Sequence, residues 1–290
     1  MCSITWGSSR SDFLQASIAV IVRCFDEAQP VSKHNMNVRR LSRTVVAKRT
    51  SFDSKREFDN QKLAWSLLNS EQLRVPEPIL HIEHSPDSST LDGYIIMEYL
   101  HGISLDECDV KTFVDVDPIV GAIAGAILWI STKTRHREHS SPLGPPTGGR
   151  ADGFPWGQNG AEIEFKTKKD IQDCANKRLS NYAHNKKLEP SKWGLDLSGS
   201  DFGICHLDLA PRNILILQDD KIGIVDWSTL AYYPVVFELA SLWHLRNIAW
   251  TEHIPIFDPL ISKLESSTHA SRKDSIKLEI VQSQSTGFYL

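Results

Sequence analysis

Two short segments after residue 200 hold the side chains with the clearest chemistry. Residues 206–213 read HLDLAPRN and residues 224–227 read IVDW. Phosphoryl transfer needs a carboxylate near the acceptor hydroxyl and oxygen ligands for Mg²⁺, because the protein contributes mainly positioning and charge stabilisation. Asp208 and Asn213 have the H-x-D-L-x-x-x-N spacing in which the Asp orients the acceptor proton and the Asn binds metal. Asp226 can supply a second, anionic metal ligand.

The chemical interpretation depends on the two segments occurring together. An isolated H-x-D is usually a hydrogen-bonded turn, and an isolated IVDW is usually an ordinary strand end. Here Pro211 lies inside the first segment, and a predicted hairpin joins the two segments. Its strands are residues 214–217 and 222–225, around Asp219 and Asp220. The combination favours phosphoryl transfer, because the hairpin returns Asp226 to the neighbourhood of Asp208.

A cation for the phosphates is predicted upstream, at Lys48. Residues 44–48 alternate as in a β-strand, and residues 58–68 have helical spacing. A lysine on such a strand is often only a solvated edge residue, but a following helix can supply a carboxylate that orients it toward phosphate. Glu57 and Gln61 lie on one helix face. Counting back along the sequence from Pro76 places Gln61 at the position expected for the residue that orients Lys48. We favour Glu57, because it lies four residues from Gln61 on the same helix face.

Residues 97–102 are predicted to connect the two halves of the molecule. The sequence MEYLHG places Gly102 where the chain must turn. We expect main-chain groups of this hinge, at Glu98 and Leu100, to bind adenine. A buried strand that ends at a glycine turn would have the same sequence, and the two interpretations are compatible.

The remaining pattern predicts three regions along the 290 residues. Residues 1–40 contain a helix at 11–27, capped by Ser11 or Asp12, whose role is unknown. Residues 41–100 add strands at 79–83 and 94–99, which flank a polar loop at 84–92. Residues 101–290 are mainly helical apart from the hairpin. Their Gly- and Pro-rich segment at 140–160 is too long for an idle connection, so we expect a lid, a substrate loop or a disordered insert.

These residues resemble the aminoglycoside phosphotransferase and choline kinase-like family, which phosphorylates small molecules. The resemblance is carried by residues 41–48, 75–78, 94–105, 205–213 and 223–239. It implies an α+β, two-lobed protein kinase-like fold, with a small β-rich N-lobe and a larger, mainly helical C-lobe. It also implies ATP and Mg²⁺, with Asp208 as base, Asn213 and Asp226 on the metal, and Lys48 on phosphate.

Two features favour a small-molecule acceptor over a protein acceptor. Ala210 stands where Ser/Thr protein kinases carry a Lys, and the chain after Asp226 leaves little room for an activation segment. Two other residues depart from the family pattern, because Leu207 replaces a usual Gly and Ser228 replaces a common acidic residue. A catalytically silent kinase-like binding module and an atypical protein kinase therefore remain as alternatives.

The composition bears on which partners the protein can bind and on where in the cell it is expected. The formal charge of -4 and the pI near 6.3 give no basic field for nucleic acid. The five cysteines are widely spaced without a CxxC pair, which indicates reduced thiols. The longest apolar stretch, residues 118–130, is shorter than a membrane helix. We therefore expect a cytoplasmic protein that binds a small molecule, with no nucleic-acid or membrane partner.

Overall fold

The structure is a computed structural model that describes residues 4–32, 35–50, 53–87, 90–110, 115–135, 143–157, 159–218, 221–248, 251–268 and 270–284. The strands are β1 (Pro30–Ser32), β2 (Asn35–Arg40), β3 (Val45–Thr50), β4 (Leu73–Arg74), β5 (Pro78–Asp87), β6 (Thr90–Glu98), β7 (Gly102–Ser104), β8 (Phe202–Cys205), β9 (Ile214–Leu217), β10 (Ile222–Ile224) and β11 (Ala231–Pro234). The helices are α1 (Arg10–Gln15), α2 (Ile18–Glu27), α3 (Ser54–Leu68), α4 (Asp117–Lys133), α5 (Lys168–Asn185), α6 (Val235–Ile248), α7 (Ile254–Thr268) and α8 (Arg272–Ser283).

An antiparallel five-stranded sheet forms the first part of the molecule, in the order β1-β2-β3-β6-β5. Side chains of β3 alternate between its two faces. Val45 and Ala47 pack against α1 and α2, whereas Val46 packs on the other side with Phe58 of α3. Lys48 has the same parity as Val46, so the alternation of β3 directs its side chain toward α3.

Two sequence expectations in this region are wrong. The helix predicted at residues 11–27 is two helices, because Ala16 and Ser17 are extended and Ser17 starts α2. The first cap is Ser9, whose backbone N–H donates to the carboxylate of Asp12 at 2.6 Å. The polar loop predicted at 84–92 is largely strand, since His84 pairs with Asp92 in the β5–β6 ladder.

The N-terminal helices cover one face of the sheet. Phe13, Ile21 and Phe25 are fully or almost fully buried there, in one cluster with the side chains of β3, β5 and β6. The sheet itself begins at Pro30, within the region 1–40 that was expected to be an extension. Packing therefore explains what the N-terminal helices do structurally, since they protect the apolar side of the sheet from water.

The second part of the molecule is mainly helical, as predicted, with two small sheets. β9 and β10 form the predicted hairpin, with Ile214 opposite Ile224, while its predicted turn at residues 219–220 lies outside the described part of the chain. β8 and β11 form a further antiparallel pair that the sequence analysis did not predict. The largest apolar cluster joins α4, α6 and α7 to this hairpin.

The apolar stretch at 118–130 forms most of α4. Its buried side chains, among them Ile123 and Ile127, face the core cluster. Within the described residues, every helix falls short of the length and hydropathy needed to cross a bilayer.

Candidate active site

Lys48 lies on β3 of the five-stranded sheet. Its side chain contacts α3 and the residue Asp226, which belongs to the second part of the molecule. Its Nζ atom lies 2.7 Å from Oε1 of Glu57 and 2.8 Å from Oδ1 of Asp226. Burial lowers the pKa of Lys48, but the charges of Asp226 and Glu57 outweigh burial, so its pKa lies above the ordinary value. Burial raises the pKa of Asp226, yet Lys48 reverses this effect and leaves it lowered, whereas burial prevails at Glu57 and raises its pKa. Lys48 therefore has two carboxylate partners, one from α3 and one from the residue after β10.

The structure resolves which residue of α3 meets Lys48. Glu57 forms the ion pair, as we favoured. Gln61, the alternative, donates instead to the carbonyl of Pro76 at 3.0 Å and lies 3.2 Å from the sulfur of Met97. The two residues share a helix face but contact different segments.

The turn after β8 brings Asp208 and Asn213 into direct contact. Nδ2 of Asn213 donates to the backbone carbonyl of Asp208 at 2.8 Å and to its Oδ2 atom at 3.0 Å. Nη2 of Arg212 lies 2.6 Å from the same Oδ2. Burial raises the pKa of Asp208, while Arg212 and Asn213 oppose that rise. A raised carboxyl pKa lies nearer to neutral pH, which improves a general base.

A neutral histidine ties this turn to the chain before Asp226. Nε2 of His206 lies 3.0 Å from the carbonyl of Val225, and Nδ1 accepts from the backbone N–H of Asp208 at 3.3 Å. This pair of bonds assigns the proton to Nε2. Burial lowers the pKa of His206 to about 4, so the ring is uncharged near neutral pH. The backbone N–H of Val225 donates to the carbonyl of Asn213 at 3.0 Å, which brings Asn213 close to Asp226.

The backbone at Leu207 is held in an unusual conformation by α6. Leu207 has φ of 68°, in the left-handed region that a Cβ atom disfavours. The carboxylate of Glu238 accepts the backbone N–H groups of His206 and of Leu207, the latter at 3.1 Å. Ser241 donates its hydroxyl to the carbonyl of Leu207 at 2.6 Å. Burial raises the pKa of Glu238 to about 7.

Sequence reasoning missed Glu238, Ser241 and Arg212. Glu238 and Ser241 are polar residues three positions apart in an otherwise apolar stretch of α6, and both are buried. A buried carboxylate normally has hydrogen-bond partners, so this pattern was the available signal. Nothing in the sequence alone identifies those partners, which lie about thirty residues upstream.

Asp226 follows β10 in a left-handed conformation, with φ of 65° and ψ of 67°. Its Oδ1 atom accepts from Ser228 Oγ at 3.0 Å as well as from Lys48. Ser228, which departs from the family pattern, therefore supports the carboxylate.

The oxygen atoms of Asn213 and Asp226 suit magnesium. The amide nitrogen of Asn213 faces two acceptors on Asp208, so its oxygen is directed away from Asp208. Within the described residues there is no cluster of three or more His, Cys, Asp or Glu side chains that could hold a metal ion. Mg²⁺ is commonly bound through one or two protein ligands, with phosphate and water oxygens completing its octahedron. The donor set fits that pattern.

The residues predicted to form the hinge follow β6, the strand that pairs with β3. The backbone N–H of Glu98 donates to the carbonyl of Glu77 at 2.9 Å, and its side chain pairs with Arg74. The backbone N–H of Tyr99 donates to the carbonyl of Thr44 at 2.8 Å. Leu100 is buried between β6 and β7. These contacts hold the main chain in place at Glu98 and Leu100, the residues that were predicted to bind adenine.

The segment at 140–160 is packed in its described part. Trp156 is completely buried and donates Nε1–H to the hydroxyl of Tyr233 at 2.9 Å. Arg178 donates to the carbonyls of Trp156 and Gly160, at 3.1 and 2.9 Å. Asp152 forms an ion pair with Arg56 of α3. The segment therefore connects the helical part of the molecule to α3.

Comparisons with known proteins agree with this architecture. A thermostable mutant of aminoglycoside phosphotransferase APH(4)-Ia, solved as a ternary complex with ADP and hygromycin B, is similar with a TM-score of 0.56 and 15% identity, over 94% of this chain and 92% of that chain. Aminoglycoside-3'-phosphotransferase of type VIII is similar with a TM-score of 0.52 and 11% identity, over 88% and 91%. Choline kinase LicA from Streptococcus pneumoniae gives a TM-score of 0.46 and 15% identity, over 90% and 82%.

The two aminoglycoside phosphotransferase structures, at 15% and 11% identity, indicate a shared fold and nothing finer. A search of curated proteins finds no match. The family model described as phosphotransferase enzyme family, however, matches residues 27–257, which include the sheet, the hinge, the turn at Asp208 and the hairpin. The chain belongs to the phosphotransferase enzyme family.

Proposed function

We propose that this protein transfers the γ-phosphate of ATP to a hydroxyl or amine of a small molecule. The observation that carries the proposal is the ion pair between Lys48 and Asp226, which joins residues 178 positions apart in the chain. Asp208 and Asn213 are hydrogen-bonded to each other, and Asn213 also accepts from the backbone N–H of Val225, the residue before Asp226. A cation, a carboxylate base and two metal-binding oxygens are the groups that phosphoryl transfer requires.

Each side chain has a role in this proposal. Asp208 orients the acceptor and receives its proton, and Arg212 and Asn213 hold its Oδ2 atom so that Oδ1 can meet the acceptor. Lys48, held by Glu57, contacts the phosphates. Asn213 and Asp226 would hold Mg²⁺, which neutralises charge on the β- and γ-phosphates when bound.

Nucleotide binding is proposed to occur between the two parts of the molecule. Main-chain groups at Glu98 and Leu100 would contact adenine. The solved relative with ADP and hygromycin B supports a nucleotide and a small-molecule acceptor. We also propose a cytoplasmic location, since the cysteines of the described chain are free thiols.

The acceptor is proposed to enter beside the segment at 140–160. This segment places Asp152 against Arg56, next to the turn that follows Asp226. Gly153 supports that placement, because a Cβ atom there would lie 2.9 Å from Thr229 Cγ2. Ala210 supports a small molecule over a protein, because Ser/Thr protein kinases carry a Lys at this position.

The experiment is a screen of a metabolite library for acceptor-stimulated release of ADP from ATP in the presence of Mg²⁺. The Asp208→Asn variant serves as the blank, because removal of a general base typically lowers the rate by about 10² to 10⁴. Asn keeps the shape of Asp208, so binding of ADP should persist in that variant. Stimulation that survives in Asp208→Asn, or phosphate incorporated into protein instead, would contradict the proposal.

A further inference from the structure

Asn60 is an amide buried between α3 and the turn that follows Asp226. Its side chain is 1% exposed, and Nδ2 donates to the carbonyls of Trp227 and Ser228 at 3.2 and 3.1 Å. Because both partners are acceptors, the amide must turn its NH₂ group toward them. The Oδ1 atom is then buried, without a hydrogen-bond partner among the described residues.

The unsatisfied oxygen indicates what Asn60 contributes. Burying a polar atom without a partner destabilises a protein, and an apolar side chain could fill the same space. Packing alone therefore does not account for an amide at this position. The two hydrogen bonds to consecutive carbonyls are the contribution that an apolar residue could not make.

Those carbonyls belong to the two residues directly after Asp226. The backbone of Asp226 is left-handed, a conformation that side-chain-bearing residues adopt only when their surroundings hold it. The same backbone angles set the direction in which the carboxylate leaves the chain. A support on the next two peptide groups thus controls where the Asp226 oxygens lie.

We propose that Asn60 is a positioning residue that aims Asp226 at Mg²⁺. Helix α3 then orients both members of the central ion pair, through Glu57 on the Lys48 side chain and Asn60 on the backbone after Asp226. The inference rests on the proposed function, since it assumes a magnesium–nucleotide site. Groups that orient a metal ligand typically change metal affinity by about 10- to 100-fold when removed.

The test is calorimetric titration with ADP, with and without Mg²⁺, on the full chain. We expect Asn60→Ala and Asn60→Leu to reduce the gain in ADP affinity that Mg²⁺ confers by about tenfold or more. ADP affinity without Mg²⁺ should stay within about twofold of wild type, because Asn60 does not face the nucleotide in this proposal. Leu has the same number and branching of side-chain heavy atoms as Asn, so it fills the site that could collapse in the Ala variant.

Gln61→Ala is the matched control. Gln61 is an equally buried amide on the same helix, but it donates to Pro76 and not to the turn after Asp226. The Gln61→Ala variant should keep the full gain in ADP affinity that Mg²⁺ confers, even if its melting temperature falls.

Three outcomes overturn the inference. These are an unchanged effect of Mg²⁺ in the folded Asn60 variants, an equal loss in Gln61→Ala, and failure of both Asn60 variants to fold, which would make the residue structural. A wild-type protein that binds no ADP with Mg²⁺ contradicts the proposed function itself, and the inference falls with it.

Discussion

Replacing Leu207 with glycine tests whether packing or backbone strain dominates at the turn before Asp208. Relief of a left-handed conformation stabilises by about 1–2 kcal/mol. The added freedom of glycine in the unfolded chain costs about 0.5–1 kcal/mol, so the net gain from the backbone is about 0.5–1 kcal/mol. Leu207 is 3% exposed within an apolar cluster, and loss of such a side chain costs about 3–5 kcal/mol. We therefore expect Leu207→Gly to lower the free energy of unfolding by about 3 kcal/mol.

The measurement is guanidinium denaturation followed by tryptophan fluorescence, with Leu207→Ala as the matched variant. Alanine loses the same packing but keeps the Cβ atom that strains a positive φ. The expected order of stability is wild type, then Gly, then Ala. A Gly variant more stable than wild type would show that strain outweighs packing. An Ala variant as stable as Gly would show that the backbone at Leu207 is not left-handed in solution.

Two further substitutions test the electrostatics of the same turn. The pKa of Glu238 is about 7 against 4.5 for the free group, so the folded chain holds this proton longer than the unfolded chain does. Stability should therefore fall by about 3 kcal/mol as the pH rises between those values, and Glu238→Gln should lack that slope in denaturation curves. Equal slopes would refute the burial argument. Arg212 lowers the pKa of Asp208, so Arg212→Gln should move the acidic limb of the pH–rate profile of ATP turnover to higher pH, and Arg212→Lys should move it less. A profile that stays in place would exclude this ion pair as an influence on the base.

The residues of the turn and the hairpin could be predicted because local geometry brings them together. A hairpin of fixed register returns the chain to its starting point, so Asn213 and Asp226 must end near each other whatever surrounds them. The alternation of β3 likewise fixes the face on which Lys48 lies. Both arguments use contacts between neighbours in sequence or in one sheet, and the sequence pattern specifies such contacts directly.

The supports of these residues could not be predicted in the same way. Periodicity shows that Glu238 is buried, but its partners depend on how α6 packs under the turn, which is a tertiary property. The break between α1 and α2 at Ala16 and Ser17 is also tertiary in origin. A serine can precede a helix or continue one, and here the break lets Phe13 of α1 and Ile21 of α2 both pack on the sheet.

The choice between Glu57 and Gln61 shows where sequence reasoning ends. Both lie on the buried face of α3, about one helical turn apart, and periodicity identifies the face but not the position along the axis. A shift of α3 by one turn, about 5.4 Å, would bring Gln61 to Lys48 and remove the charge from the pair. Two adjacent amides near the middle of α3 contact different segments, Gln61 the carbonyl of Pro76 and Asn60 the turn after Asp226. Gln61 is therefore bonded to Pro76, and Glu57, one turn earlier, is the residue of α3 that meets Lys48.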